Sequence, residues 1–178
     1  MSEADLYSRY DSYRHVLFCT DFSENANFAF EFAVAAAARR PDTRLTILHV
    51  IPEPEAQFWK TYIYEVEDID DKAQHDIDEK VAAEYLPRVP EGLDVEVVVR
   101  IGRDTTEILD FAEESGVDLI VMGRQGQSEM KTVFFGNVTE KVVRKAGCPV
   151  LVIPMIFEEP LRTRGGGGEG PGTSSPEG

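Results

Sequence analysis

The segment that decides the fold is His15-Val-Leu-Phe-Cys-Thr20, which leads within three residues into an alanine-rich stretch. Six residues dominated by apolar and β-branched side chains predict a buried strand. Ser23 is a residue type that caps helices, and the helix it opens is predicted to run to about Arg40. Phe28 and Phe32 recur at four-residue spacing on one face of that helix. A buried strand that passes directly into such a helix is typical of a parallel sheet covered by helices.

The rest of the chain repeats this alternation of strand and helix. Further apolar, β-branched runs predict strands at Arg44–Ile51, Asp94–Ile101, Asp118–Met122 and Cys148–Pro154. Three further segments have helical periodicity, from about Asp68 to Tyr85, from about Asp104 to Ser115 and from near Gly136 to Ala146. Either Asp104 or Thr105 can cap the second of these helices. The second strand is apolar almost throughout, which indicates a central position. We therefore predict an open, parallel five-stranded α/β sheet with helices on both faces.

Composition limits the classes of function. The 178 residues contain 18 Lys and Arg against 33 Asp and Glu, a net charge of −15. Nucleic-acid binding depends on cations that meet phosphates, so this balance argues against a nucleic-acid partner. Residues 1–12 lack the apolar core of a secretory signal, and no window reaches the roughly 20 apolar residues of a membrane span. We predict a cytoplasmic protein with an N-terminal extension over 1–12, one domain over 13–157 and a disordered glycine-rich tail over 158–178.

The segment from Pro52 to Lys80 differs from the rest in composition. It holds ten acids against three lysines, and its aromatic residues Phe58 and Tyr62 stand at helical spacing. Two interpretations stay open at this point. The aromatic side chains either fold back onto the domain core or form a lid over a cleft.

Two loops follow strands at the sheet edge where open parallel sheets bind ligands. The first is Thr20-Asp21-Phe22-Ser23, and the second is Gly123-Arg124-Gln125-Gly126. Gly136-Asn137-Val138-Thr139 then opens a helix, whose first N–H groups and positive dipole end form an anion site. From Met122 to Cys148 the chain carries five cations and two acids, a local charge of +3. A basic segment within an acidic chain predicts a pocket for a phosphate-bearing ligand.

Several of these residues also have purely structural interpretations. Asn137 with Glu140 fits a capping box, and Asp21 either caps the first helix or binds a ligand or metal. His49 lies between apolar neighbours in a predicted strand, which favours a core histidine. Cys19 and Cys148 lie in apolar surroundings and are predicted to be buried free thiols.

The combined pattern resembles the universal stress protein domain, in its ATP-binding version with G-x-x-G, nine residues and a further glycine. The resemblance covers about residues 13 to 155. The matching segments are His15–Ala26, the strand Leu45–Val50, Asp118–Gly126, Gly136–Glu140 and Cys148–Pro154.

This resemblance implies a Rossmann-like fold with strand order 3-2-1-4-5 and ATP bound between the ends of strands one and four, with Mg²⁺ or Mn²⁺ as a companion ion. It also implies a homodimer formed through the last strand, residues 148–154. No catalytic residue is implied. The nucleotide-binding role falls to Cys19, Thr20, Asp21, Val50, Met122, Gly123, Arg124, Gly126, Gly136, Asn137, Val138 and Thr139.

The chain departs from the family pattern at two positions. Asn137 stands where the family usually has Ser or Thr, and Cys19 stands where proline is common. The favoured function is an ATP-binding regulatory module with at most slow hydrolysis, because no Walker lysine follows the glycines. The alternatives are a partner-binding scaffold that does not bind ATP and contacts an unidentified protein through residues 52–80, and an adenine-nucleotide α-hydrolase. The usual S-G-G-x-D-S loop of that enzyme class is replaced here by Thr20–Ser23.

Overall fold

The computed structural model describes residues 13–53, 69–124 and 136–155. The predicted extension over 1–12, the tail over 158–178 and the aromatic residues of 54–68 lie outside these ranges, as does Gly126. The strands are β1 His15–Thr20, β2 Arg44–Pro52, β3 Asp94–Gly102, β4 Leu119–Gly123 and β5 Val150–Ile153. The helices are α1 Glu24–Ala37, α2 Ile69–Glu84, α3 Asp104–Glu114 and α4 Asn137–Lys145, and a 3-10 turn, Leu86–Arg88, follows α2.

The five strands form one parallel sheet in the order β3-β2-β1-β4-β5. This order confirms the predicted fold class. β1 occupies the centre, where Cys19 pairs with Leu48 of β2 on one side and with Met122 of β4 on the other. Because the order reverses next to β1, the exits of β1 and β4 diverge there and leave a crevice at the carboxyl edge of the sheet.

Helices cover both faces of the sheet, as predicted. One core layer lies between the sheet and helices α1 and α2, where Phe18 of β1 packs against Phe30 and Tyr85. The second layer lies under α3 and α4, where Leu17 packs in a cluster with Phe111. All six residues of β1 are buried, which explains why this segment has no clean apolar–polar alternation.

The face that α1 presents to the sheet differs from the predicted one. Ala29, Ala33 and Ala37 are fully buried, whereas Phe28 and Phe32 are half-buried at the edge of the core and contact each other edge to face, with ring centroids 5.5 Å apart. Alanine side chains allow a close approach of the helix backbone to the sheet, which leaves the Phe28 and Phe32 rings at the margin, whereas the Phe30 ring is fully buried in the core.

The amino edge of the sheet is tied together by Asp118. Its carboxylate accepts hydrogen bonds from the backbone N–H groups of Arg14 and His15, at 2.9 and 3.1 Å. The His15 imidazole contacts Ser115 O at 3.1 Å and Thr46 Oγ1 at 2.8 Å. These contacts connect the start of β1 to β2 and to the segment between α3 and β4.

Two further expectations need correction. Asp104 is the first residue of α3 and the capping position is Arg103, which makes no side-chain capping bond, so neither Asp104 nor Thr105 is the predicted cap. Both cysteines are free, but Cys148 is only partly buried because it lies just before the edge strand β5. Within the described ranges, no helix combines the length and the apolar character that crossing a bilayer requires.

Candidate functional site

A cavity of about 520 Å³ opens at the carboxyl edge of the sheet. The ends of β1, β2 and β4 form its floor, and the N-terminal ends of α3 and α4 form part of its wall. Ten of the twelve residues predicted to bind a nucleotide line it. They are Cys19, Thr20, Asp21, Val50, Met122, Gly123, Gly136, Asn137, Val138 and Thr139.

The other two predicted residues are placed differently. Gly126 lies outside the described residues, and Arg124 is not part of the described lining. The Arg124 backbone has a structural role instead, because its N–H donates to Ile153 O and its carbonyl accepts from Gly136 N–H, both at 2.9 Å. Arg124 therefore joins the end of β4 to β5 and to the start of α4.

The turn after β1 is built by short polar side chains. The Asp21 carboxylate accepts the Ser23 N–H at 3.0 Å, and Ser23 Oγ accepts the Ala26 N–H at 3.2 Å. Ser23 is thus the N-cap of α1, as predicted, and Asp21 shapes the turn that precedes the cap. This turn places Asp21 in the wall of the cavity.

Phe22 has a left-handed backbone conformation, with φ of 58°, which is uncommon for a large side chain. Its N–H donates to Thr20 Oγ1 at 2.9 Å. The same Thr20 hydroxyl forms a 2.6 Å hydrogen bond with the hydroxyl of Tyr85, the residue that directly follows α2. Burial raises the pKa of Tyr85 to about 12. The strained turn is therefore held by the Thr20 hydroxyl, which belongs to a residue of the cavity lining and is hydrogen-bonded to the buried Tyr85 hydroxyl.

His49 is not the enclosed core histidine that its sequence neighbours indicate. It is half-buried and lines the cavity, because it lies near the carboxyl end of β2 where the core gives way to the crevice. A carbonyl oxygen only accepts, so the 2.8 Å contact between His49 Nδ1 and Thr20 O shows that Nδ1 donates. The Phe22 ring packs against the imidazole with centroids 5.0 Å apart.

The start of α4 forms the opposite wall of the cavity. Gly136 is the capping residue, in an extended conformation, and Asn137 is the first helical residue. The capping-box interpretation of Asn137 is therefore wrong, since no side chain caps this helix. The buried Thr139 hydroxyl donates to Gly123 O at 3.0 Å and fixes the helix against the end of β4. The first N–H groups of a helix have no acceptor within it, so α4 begins at the cavity with donors for an anion.

Gly123 has a packing reason to be glycine in addition to its place at the cavity. A Cβ at this position would lie 3.0 Å from Asn25 Cγ and 3.2 Å from the Asn25 backbone carbonyl carbon. The Asn25 amide is itself fixed, because its Nδ2 donates to Ile153 O at 2.9 Å. The missing side chain therefore allows α1 to lie directly on β4.

We expect Gly123→Ala to lower the free energy of unfolding by about 1 to 3 kcal/mol, the usual cost of overpacking a rigid contact. Urea unfolding followed by circular dichroism measures the change. Gly147→Ala is the matched control, since an added Cβ there has nothing within 4 Å. Equal stability of the two variants would contradict this account of Gly123.

The described part of the cavity lining differs in charge from the predicted basic pocket, and Lys131 of the predicted basic segment lies outside the described residues. The described lining contains two acidic residues, Asp21 and Asp104. Among the same described residues, Lys80 is the one lysine, and no arginine lines the cavity. The basic residues that give residues 122–148 their positive charge are absent from this described lining. Lys80 comes from α2, and its Nζ lies 4.1 Å from the centroid of the Phe22 ring.

Sequence reasoning missed about half of the described lining. Position along the chain offered a signal for Leu48 and Ile51, since both are close to Val50 at the carboxyl end of β2. No local signal identified the contributions of α2 and α3, which depend on how these helices pack. Phe22 belongs to the predicted loop Thr20–Ser23, and the lining residues that were missed are Ala26, Leu48, His49, Ile51, Pro52, Ile77, Lys80, Asp104 and Ile108.

The family model and the similar proteins of known family all point to one protein family. The model of the universal stress protein family matches residues 12–154. The universal stress protein MJ0577 of Methanocaldococcus jannaschii is 31% identical over 156 residues, which span 79% of this chain and 94% of that protein. A putative universal stress protein of Staphylococcus aureus strain USA300 is 33% identical over 147 residues, 80% of this chain and 84% of that one.

Solved structures agree with this result. The structure of MJ0577 superposes with a TM-score of 0.68 at 30% identity, over 80% of this chain and 96% of that one. The universal stress protein UspA of Lactobacillus plantarum superposes with a TM-score of 0.63 at 26% identity, over 80% and 98% of the two chains. Sequence, strand order and the crevice beside β1 thus lead to the same conclusion: the chain belongs to the universal stress protein family.

Proposed function

We propose that the cavity binds an adenine nucleotide, with ATP as the favoured ligand, and that the chain acts as a regulatory module. One observation carries this proposal. Segments separated by more than a hundred residues, Cys19–Asp21 and Gly136–Thr139, meet around one cavity of about 520 Å³ that ends at a helix N-terminus. A volume of this size suits a small ligand, and the helix start suits its anionic part.

The lining supports one orientation of the ligand. Met122, Val50 and Ile108 provide an apolar region for the base, and Asp21 provides a carboxylate that accepts hydrogen bonds from ribose hydroxyl groups. Gly136 and the first turn of α4 offer backbone donors to the phosphates. In this orientation the phosphates lie away from Lys80, toward β4 and α4.

Charge in the cavity argues for a cation bound together with the phosphates. Asp21 and Asp104 repel a polyphosphate, and a divalent ion reduces that repulsion. Among the described residues no group of three or more His, Cys, Asp and Glu side chains is arranged to hold a metal. Mg²⁺ bound mainly by substrate phosphates needs only one or two protein oxygens, and the Asn137 side chain at the start of α4 can supply one of them.

The site is better suited to binding than to hydrolysis. His49 directs its Nδ1 proton to Thr20 O, and Thr139 directs its hydroxyl to Gly123 O. These groups are therefore engaged in holding the cavity. Occupancy changes the interactions of the domain with a second copy or a protein partner. The edge strand β5 favours a homodimer through residues 148–154, since Leu151 is 38% exposed there.

Structures of two further universal stress proteins have been solved in complex with cAMP and with dAMP. They share 23% and 22% sequence identity with this chain, a level at which the comparison shows a common fold. They nevertheless supply well-defined probes. We expect this chain to discriminate among ATP, dAMP and cAMP by the phosphates that reach the start of α4.

The test is to purify the protein without added nucleotide, denature it and chromatograph the released small molecules. Release of ATP or ADP supports the proposal. If nothing is released, the protein is titrated with ATP, with and without Mg²⁺, by calorimetry. Absence of binding at millimolar ATP would overturn the proposal and favour a partner-binding scaffold.

A further inference from the structure

We propose that Tyr85 is a positioning residue for ribose recognition: its hydroxyl, bonded to Thr20, holds the turn that presents Asp21 to the cavity. The inference rests on the proposed function, because it concerns how that same site reads its ligand. Tyr85 itself is fully buried and is not part of the cavity lining. Its action on a ligand is therefore transmitted through the residues that touch the cavity.

The ring and the hydroxyl of Tyr85 have separate roles. The ring packs in the core beneath α1, with centroids 4.6 Å from Phe30 and 5.4 Å from Phe18. Phenylalanine would fill the same space. The hydroxyl instead reaches the carboxyl end of β1, where it meets Thr20 Oγ1 at 2.6 Å. A buried hydroxyl that is directed to a cavity residue needs a reason beyond packing.

Thr20 transmits this contact to the turn. Its hydroxyl oxygen accepts the Phe22 N–H at 2.9 Å, and its carbonyl accepts from His49 Nδ1 at 2.8 Å. Phe22 is held at a φ of 58° by the first of these bonds. Asp21 lies in the chain between Thr20 and Phe22, which the Thr20 hydroxyl connects by a hydrogen bond. The direction of the Asp21 carboxylate therefore depends on the position of this hydroxyl.

The Phe22 ring also contacts Lys80 of α2 and Tyr85, which directly follows that helix. It stacks on the Tyr85 ring with an interplanar angle of 21° and a centroid distance of 5.7 Å, and Lys80 Nζ lies 4.1 Å from its centroid. With the His49 imidazole, these residues give the Phe22 side chain three contacts, and the Thr20 hydroxyl gives its backbone one. Strain that is held by several independent contacts is typical of a functional position.

The test compares ATP with 2′,3′-dideoxy-ATP, which lacks both ribose hydroxyl groups. We expect Tyr85→Phe to weaken ATP binding about fivefold to tenfold, the effect of misplacing one hydrogen bond to a charged acceptor. We expect its affinity for the dideoxy nucleotide to stay within about twofold of the parent. Calorimetric titration of both ligands measures the ratio. Tyr13→Phe is the matched control, because Tyr13 precedes β1 at the opposite edge of the sheet.

A second pair of variants separates the hydroxyl from general stability. Thr20→Ser keeps the hydroxyl oxygen and should preserve the parent ratio between the two ligands. Thr20→Val removes the oxygen that contacts Tyr85 and accepts the Phe22 N–H, so its loss of ATP affinity should be at least as large as that of Tyr85→Phe. Equal losses for both ligands, or no loss for ATP in Tyr85→Phe, would overturn the inference while the proposed function stands. A parent protein that binds neither nucleotide would overturn both.

Discussion

Gly136→Val is expected to lower the affinity for ATP by at least about a hundredfold, because it obstructs several backbone donors at once. Gly136 precedes the first turn of α4 and lines the cavity. A branched side chain at this point occupies the space in which phosphate oxygens approach the first N–H groups of the helix.

The fold should tolerate this substitution. Gly136 has φ of −65° and ψ of 151°, an extended conformation that any residue adopts. Gly147→Val is the matched control at the other end of α4, where an added Cβ has nothing within 4 Å. Calorimetric titration measures ATP affinity, and circular dichroism verifies folding. If Gly136→Val binds ATP as the parent does, the phosphates do not lie at the start of α4.

Alkaline solution is expected to lower the free energy of unfolding by several kcal/mol between pH 9 and pH 12. Two groups have a raised pKa in the native protein, and the decrease is the sum of their contributions. Burial raises the pKa of the Cys19 thiol from 9.0 to about 12 and that of the Tyr85 phenol from 10.0 to about 12. In this range the unfolded chain loses protons that the native protein keeps. The unfolded state therefore binds fewer protons, and stability falls as pH rises.

The stabilising effect is complete below pH 9 and disappears as pH rises toward 12. Each group contributes up to about 1.4 kcal/mol per pH unit where only the unfolded state ionises. Urea unfolding of the parent, Cys19→Ala and Tyr85→Phe at pH 8, 9.5 and 11 measures the slopes. Cys19→Ala should flatten the curve from pH 9 and Tyr85→Phe from pH 10. Curves that run parallel to the parent would show that neither group controls alkaline unfolding.

Periodicity was sufficient to locate the framework of this fold. β1 begins and ends where predicted, and β2 and β3 each extend one residue further. Strand order was not available from periodicity, since pairing depends on contacts between distant segments. It came from the resemblance to a family. Helix ends were less predictable, because Asp104 and Asn137 are good capping residues in isolation, yet the capping positions are Arg103 and Gly136, one residue earlier in each case.

The candidate site was predictable where one segment contains its own signal. The glycine at 136 and the turn at Asp21 are examples, since both follow from local chemistry at strand and helix ends. Lys80 and Tyr85 carry no such signal, because their relation to the cavity depends on the packing of α2 beside β1. Among the described residues, the arginines and lysines of the segment 122–148 do not line the cavity, since charge counted along the chain does not show which side chains face it.

The central position of β1 has a consequence for synthesis on the ribosome. β2 follows β1 closely in the chain and completes one side of it early, but Val16 pairs on the other side with Leu119, about a hundred residues later. That edge of the nascent chain stays open until β4 emerges, and α4 comes later still. The crevice beside β1 is therefore complete only in the finished domain, and until then the growing chain carries an unpaired strand edge of the kind that favours aggregation.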